Sequence, residues 1–170
     1  MEDQSLIGSS VETFSSSKFF PRSYRISDLK AYEEKWKASI NQPDEFWADE
    51  AHKLLHWSKD FDTVYSREGS CFQWFLGGEL NISAQCLDQN LEISADKAAL
   101  VWEDELGHVK TYTYSELHQE VLRFSSLLHS CGLKPGECVT LYLSVSPELV
   151  ISMLSCARLG LIHNVVFAGF

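Results

Sequence analysis

The last third of the chain carries the pattern that most constrains its fold, a strand, a helix and a second strand in succession. Apolar residues alternate over residues 139–143, and a second apolar run covers residues 162–167. Between them, Ser146 can cap a helix that has Pro147 at its first position and ends at Gly160. A connection of this length joins parallel neighbours, so the pattern predicts a βαβ unit with a right-handed crossover.

The preceding segment predicts a hairpin followed by an amphipathic helix. Residues 98–102 and 109–112 have strand patterns separated by a polar turn. Thr113 with Glu116 three positions later forms a capping box, in which each side chain satisfies a free backbone N–H. Apolar residues then recur at steps of three and four until Gly132, where a helix can end cheaply in a left-handed conformation.

The first half of the chain is less regular. Residues 1–26 are Ser-rich and predict a flexible tail. Ser27 can cap a helix over residues 28–39, whose apolar residues form one stripe, and a second helix is predicted to begin near Pro43. Periodicity then fades over residues 60–92, which predicts irregular chain lying over another surface of the same protein.

Composition narrows the classes of partner and compartment. The formal net charge of −10 repels phosphate backbones, so we expect no nucleic-acid partner. No stretch reaches the length of a membrane span, so we expect no membrane association. Five cysteines without a CxxC pair indicate reduced thiols, and Cys131 and Cys156 occupy positions that suit small core residues. With no secretory signal, the expected location is the cytoplasm, with a nuclear or mitochondrial one left open.

The residues alone do not define a catalytic site. His52 and His56 have a spacing that can hold a metal, but no third ligand accompanies them, so a solvated or partly packed pair is favoured. The aromatic run at residues 72–75 could line a ligand pocket, although packing is favoured there as well. The sequence contains neither GxGxxG, nor a P-loop, nor GxSxG. Composition and periodicity therefore predict only an acidic α/β domain with an N-terminal helical layer.

Several segments in a fixed order nevertheless resemble one family, the acetyl-CoA synthetases of the adenylate-forming (AMP-binding) superfamily. The segments are YEEKWKASI at 32–40, PDEFW at 43–47, WFLGGELNIS at 74–83, CLD at 86–88, TYTYSEL at 111–117, GLKPG at 132–136, MLSCARLG at 153–160 and HNVVFAGF at 163–170. Departures at Gln85, residues 89–90, residues 143–146, Leu161 and Asn164 leave the substrate subfamily open.

The resemblance implies a fold and a reaction. It implies a tail at 1–26, the acetyl-CoA synthetase N-terminal region at 27–92, and the beginning of an AMP-binding (adenylation) domain at 93–170, with the βαβ unit and the hairpin inside it. It implies a ligase in which acetate attacks ATP to give acetyl-adenylate and pyrophosphate, and the thiol of coenzyme A then displaces AMP. The implied cofactors are ATP, Mg²⁺ and coenzyme A, and the implied substrate is acetate.

The resemblance places few functional residues in this chain. The family's phosphate loop, ribose-binding acids and lid lysine match nothing in these 170 residues, so we expect no catalytic or metal-binding residue here and no activity without the remainder of the enzyme. Phe167, Ala168 and Gly169 match the stretch beside the adenine and ribose of coenzyme A, and a strand end with a turn glycine is the alternative.

Three functions remain open at this stage. The chain is the N-terminal piece of an acetate–CoA ligase, of a ligase for propionate or another short acid, or a non-catalytic binding or interaction protein. Because the sequence ends after a predicted buried strand, we also expect the isolated chain to be marginally stable or to self-associate.

Overall fold

The computed structural model of the protein describes Ile26 and residues 28–166. The predicted cap Ser27, the predicted tail before Ile26 and the predicted site residues Phe167, Ala168 and Gly169 lie outside the described residues. The chain divides into two units between Asp49 and Glu50.

The first helix, α1 (Leu29–Asn41), begins and ends later than predicted. Its N-cap is Asp28, whose backbone is extended and whose Oδ1 accepts a hydrogen bond from the Ala31 N–H at 2.9 Å. Asp28 therefore precedes the helix instead of opening it. The predicted apolar stripe is present but exposed by more than half at every position: Leu29, Tyr32, Trp36 and Ile40.

The second helix, α2 (Pro43–Leu54), begins at the predicted proline. Two acidic residues, Asp44 and Glu45, lie in its first turn, where the helix dipole favours negative charge. Of its apolar residues, only Ala51 is fully buried in the described structure.

The prediction of irregular chain over residues 60–92 is wrong. The segment forms the antiparallel pair β1 (Thr63–Glu68) and β2 (Cys71–Leu76), followed by α3 (Ile82–Cys86) and α4 (Asp88–Ser94). The strands gave no alternating pattern because apolar residues lie on both faces of the hairpin.

Aromatic contacts hold this hairpin and explain its glycine pair. Across the strands, the rings of Tyr65 and Trp74 lie 4.8 Å apart. Gly77 and Gly78 follow β2, and Gly77 has φ +80°. A Cβ on Gly78 would lie 2.7 Å from the Trp57 ring, so the chain can pass this indole only without a side chain.

The predicted hairpin and the helix after it are confirmed. Strands β3 (Ala98–Glu103) and β4 (Val109–Thr113) pair antiparallel, and α5 (Tyr114–Ser130) follows directly. The capping box is complete, since Thr113 Oγ1 accepts from the Glu116 N–H at 3.1 Å and Glu116 Oε2 accepts from the Thr113 N–H at 2.8 Å.

The predicted βαβ unit is also present. It consists of β5 (Cys138–Tyr142), α6 (Pro147–Arg158) and β6 (Ile162–Val166), and the two strands are parallel. The right-handed crossover stays a prediction. The strands are only half-buried, because Leu141 is buried whereas Tyr142 and Ile162 on the opposite face are exposed.

Helices α5 and α6 supply most of the core of the second unit. One cluster joins Leu117 and Val121 of α5 to Ile151 of α6 and to Leu87, which lies between α3 and α4. A second cluster consists of Leu128, Cys156 and Leu161. The predicted burial of Cys156 is confirmed, whereas the predicted burial of Cys131 is wrong, because this residue lies beyond the last turn of α5 and is exposed.

Candidate functional site

The carboxyl ends of β5 and β6 define the edge at which a ligand is expected. Because the strands are parallel, both chains leave the sheet on the same side, and Tyr142 pairs with Val166 there. Ligands of open α/β sheets bind outside such carboxyl ends. The candidate residues Phe167, Ala168 and Gly169 follow Val166 directly in sequence, outside the described residues.

The loop from β5 to α6 is tied to the neighbouring hairpin. Trp102 of β3 donates its indole N–H to the Val145 carbonyl at 2.9 Å. Ser146 takes the N-cap position of α6 with extended backbone, but its side chain makes no capping bond to the helix. Its hydroxyl contributes most to lowering the pKa of Glu148, in the first turn of α6. The Trp102 bond thus ties the loop that follows the carboxyl end of β5 to β3.

A groove of about 470 Å³ is lined by residues of β4, α5 and the first turns of α6. Its charged residues are Lys110, Glu120, Arg123 and Glu148. Arg123 Nη1 lies 2.6 Å from Glu120 Oε1, and the pKa of Lys110 is raised, first by the Tyr112 hydroxyl and then by Glu148 and Glu120. Two acids balance two bases, so the groove offers no net positive charge to a polyphosphate.

The other end of the βαβ unit is held by a side chain that the sequence did not single out as functional. Asn81 Nδ2 donates to the carbonyls of Ala157 and Arg158, at 3.2 and 3.1 Å, at the end of α6. Its Oδ1 accepts from the N–H groups of Ser83 and Ala84, at 3.0 and 3.2 Å, and caps α3. One amide therefore joins the start of one helix to the end of another. The only sign of this role in the sequence is the residue type, because asparagine is favoured at the N-cap of a helix.

Arg158, whose carbonyl accepts from Asn81, also forms an ion pair through its side chain. Arg158 donates to both carboxylate oxygens of Asp88, at 2.8 and 2.6 Å. These bonds are the main cause of a lowered pKa of Asp88 and a raised pKa of Arg158, so both shifts favour the charged pair. His118 Nε2 lies 3.6 Å from Asp88 Oδ1, just beyond hydrogen-bonding distance.

Of the two histidines considered as metal ligands, His52 contacts another residue through its ring and His56 through its backbone. His52 Nε2 lies 2.9 Å from Asp60 Oδ1, and its ring stacks on Phe61 with centroids 4.8 Å apart. The backbone of His56 exchanges hydrogen bonds with the Gln85 amide. Over the described part of the chain, no group of three His, Cys, Asp or Glu residues is placed to hold a metal ion. Nor does any helix there have the length and apolar character needed to span a membrane.

Two family models match adjacent parts of the chain. The acetyl-coenzyme A synthetase N-terminus matches residues 32–86, and the AMP-binding enzyme family matches residues 87–170. Together they extend from the first turns of α1 to the last residue.

Individual relatives agree with these models. An acetyl-coenzyme A synthetase from Deinococcus radiodurans is 46% identical over 152 residues, and one from Dictyostelium discoideum is 44% identical over 154 residues. Each match covers 89% of this chain, and the chain spans 23% of the length of either relative. The solved structure of an acetoacetyl-CoA synthetase from Streptomyces lividans superposes with a TM-score of 0.71 at 26% identity, over 77% of this chain and 20% of that one.

Proposed function

This chain belongs to the AMP-binding enzymes that carry an acetyl-coenzyme A synthetase N-terminus, and on that premise we propose that it is the N-terminal part of an acetate–CoA ligase. The complete enzyme would convert acetate and ATP to acetyl-adenylate and pyrophosphate, and then transfer the acetyl group to coenzyme A. The observation that carries this proposal is the 46% identity to an acetyl-coenzyme A synthetase over 152 residues, across both family models.

Within such an enzyme, this chain would act as a scaffold rather than as the adenylation centre. A carboxylate is a poor electrophile, and its activation through AMP requires Mg²⁺ and fixed donors around the phosphates. In the described residues, no group of three His, Cys, Asp or Glu is placed to hold a metal ion, and the charges of the groove between β4, α5 and α6 cancel. We therefore assign ATP and Mg²⁺ to the remainder of the enzyme and expect these 170 residues to be inactive alone.

The part of the site that we assign to this chain is a partial coenzyme A site at Phe167, Ala168 and Gly169. The support is their place in the sequence, directly after Val166, which lies at the carboxyl edge of the parallel pair. A glycine at such a position allows the backbone to approach a ligand closely. The role of these residues would be to bind and orient the nucleotide end of coenzyme A.

The proposed division of the chain follows the same premise. Residues 27–92 would form the N-terminal region and residues 93–170 the beginning of the AMP-binding domain, close to the 86/87 junction of the two family models. We also propose a cytoplasmic location, supported by the absence of disulfides among five cysteines.

A chimera tests the proposed function. This chain would replace the matching segment of the Deinococcus radiodurans enzyme, and the chimera would be compared with the remaining segment alone and with this chain alone. We expect acetate-dependent exchange between ATP and pyrophosphate, and coenzyme A-dependent formation of acetyl-CoA, only in the chimera. An inactive, folded chimera would contradict the proposal, and exchange by this chain alone would show that the adenylation machinery is misassigned.

Acid selectivity is a separate question for the same chimera. The structural relative is named for acetoacetate whereas the sequence relatives are named for acetate. We propose that the acid pocket lies in the remainder of the enzyme, so the chimera should keep the preference of the enzyme that supplies that remainder. A change of preference towards propionate or acetoacetate would instead assign the pocket to this chain.

A further inference from the structure

The turn from α6 into β6 leads to the proposed coenzyme A residues, and its own hydrogen bonds define it closely. Gly160 has φ +69°, its N–H donates to Ala157 O at 3.2 Å, and the Leu161 N–H donates to Cys156 O at 2.9 Å. This is the Schellman arrangement, which ends a helix with a left-handed residue. The Ile162 N–H then bonds to Glu137 O at 2.9 Å, and β6 begins.

This turn receives two further contacts from outside the βαβ unit. The last carbonyls of a helix have no partner within it, and Asn81 supplies donors to two of them, on Ala157 and Arg158. The guanidinium of Arg158 pairs with Asp88, and its side chain is 21% exposed. Both contacts act on the same last turn of α6, shortly before β6 begins at Ile162.

The two contacts come from either side of the family junction. Asn81 lies in the part that matches the acetyl-coenzyme A synthetase N-terminus, whereas Asp88 and α6 lie in the part that matches AMP-binding enzymes. The amide is chemically required at residue 81, because its oxygen accepts from α3 while its nitrogen donates to α6. A carboxylate of the same shape could accept from α3 but could not donate to α6.

We propose that Asn81, together with the Asp88–Arg158 pair, is a positioning element that fixes the α6–β6 turn and acts through β6 on the binding of coenzyme A. The N-terminal region thus has a defined task in the second half-reaction. The coenzyme A part of this inference rests on the proposed function, whereas the bracing of the turn does not.

Amide hydrogen exchange on this chain tests the bracing directly. Asn81→Asp keeps the acceptor for α3, removes the donor and places a carboxylate against two carbonyls. We expect exchange at Gly160, Leu161 and Ile162 to accelerate about tenfold, with the β1–β2 hairpin unchanged. The matched control is Asn90→Asp, because Asn90 of α4 also donates to a carbonyl, Cys86 O at 3.0 Å, but this carbonyl belongs to α3 and not to α6.

A second variant distinguishes loss of this brace from general unfolding of the chain. Asp88→Asn removes the charge but keeps the shape, and should accelerate exchange at the same three amides. Replacing both partners, Asp88→Arg with Arg158→Asp, should restore part of the protection. Uniform acceleration across the chain, or no change at the turn, would overturn the bracing.

Kinetic measurements on the chimera distinguish an effect on coenzyme A binding from a general effect on the stability of the enzyme. Asn81→Asp should raise the KM for coenzyme A about threefold to tenfold while the acetate-dependent exchange between ATP and pyrophosphate stays within about twofold. Equal losses in both half-reactions, or an unchanged KM beside altered hydrogen exchange, would overturn the positioning role. An inactive chimera would contradict the proposed function, and the exchange at the turn would still decide the bracing.

Discussion

Leu87 provides the sharpest test of how the two family segments are joined. It is 2% exposed and packs with Leu117, Val121 and Ile151, which come from α5 and α6. Leu87 is also the first residue of the AMP-binding match, directly after the N-terminal match. The Leu87→Ala substitution removes most of the side chain from the centre of this cluster and leaves a cavity among groups from several elements.

The expected cost follows from burial. Replacing a fully buried leucine by alanine costs about 2–5 kcal/mol, the larger values where the surroundings cannot collapse into the space. Two helices and the α3–α4 junction hold the walls of this cavity, so we expect about 3 kcal/mol. For a domain of this size that corresponds to a fall in Tm of roughly 6–12 °C.

Urea denaturation followed by circular dichroism would measure this loss. Leu106→Ala is the matched control, because Leu106 is 82% exposed in the β3–β4 turn and its replacement should change stability by less than about 0.5 kcal/mol. The midpoint should move with little change in slope. A loss below about 1 kcal/mol for Leu87→Ala would refute the reasoning, since it would mean that this residue does not fill the core.

Three further outcomes follow from individual contacts. Thr113→Ala should destabilise the protein by about 1 kcal/mol in thermal unfolding, because α5 loses its cap, and Thr113→Ser should restore most of it. The pKa of Asp88 is lower in the folded protein than in the unfolded chain, where it is about 3.9. Ionised Asp88 therefore stabilises the protein above that pH, and this stabilisation is lost as the pH falls through the folded pKa. The difference in Tm between the protein and Asp88→Asn should therefore shrink between about pH 5 and pH 2, and a constant difference would contradict the pairing with Arg158. Thiol titration of the native protein should label the four exposed cysteines quickly. Cys156 should react only on unfolding, because burial shields its thiol and raises its pKa. Five rapid reactions would contradict the buried position of Cys156.

Much of the secondary structure could be predicted because its causes lie within a few residues. Pro43 begins α2, the Thr113–Glu116 box begins α5, and Gly132 and Gly160 follow their helices with φ +85° and +69°. Each of these signals is a local cap or turn. The parallel pairing of β5 with β6 followed from the length of the connection between them.

The β1–β2 hairpin was missed for a physical reason. Tyr65, Phe72, Trp74 and Phe75 place rings on both faces of the strands, so burial does not alternate along the chain. The rings contact one another across the hairpin, with Tyr65 and Phe72 6.4 Å apart. Such cross-strand pairs stabilise the hairpin, but Phe75 on the other face hides their period of two in the sequence.

By itself, the sequence determined the elements that begin or end at a local cap or turn, the acidic character of the chain and the family to which it belongs. Only the tertiary structure decided what the polar side chains of the N-terminal region do. Asn81 was not singled out in the sequence, yet its amide bonds to Arg158 O, 77 residues away. No periodicity or cap signal encodes such a contact, because it exists only after α3 and α6 have packed together around their shared core.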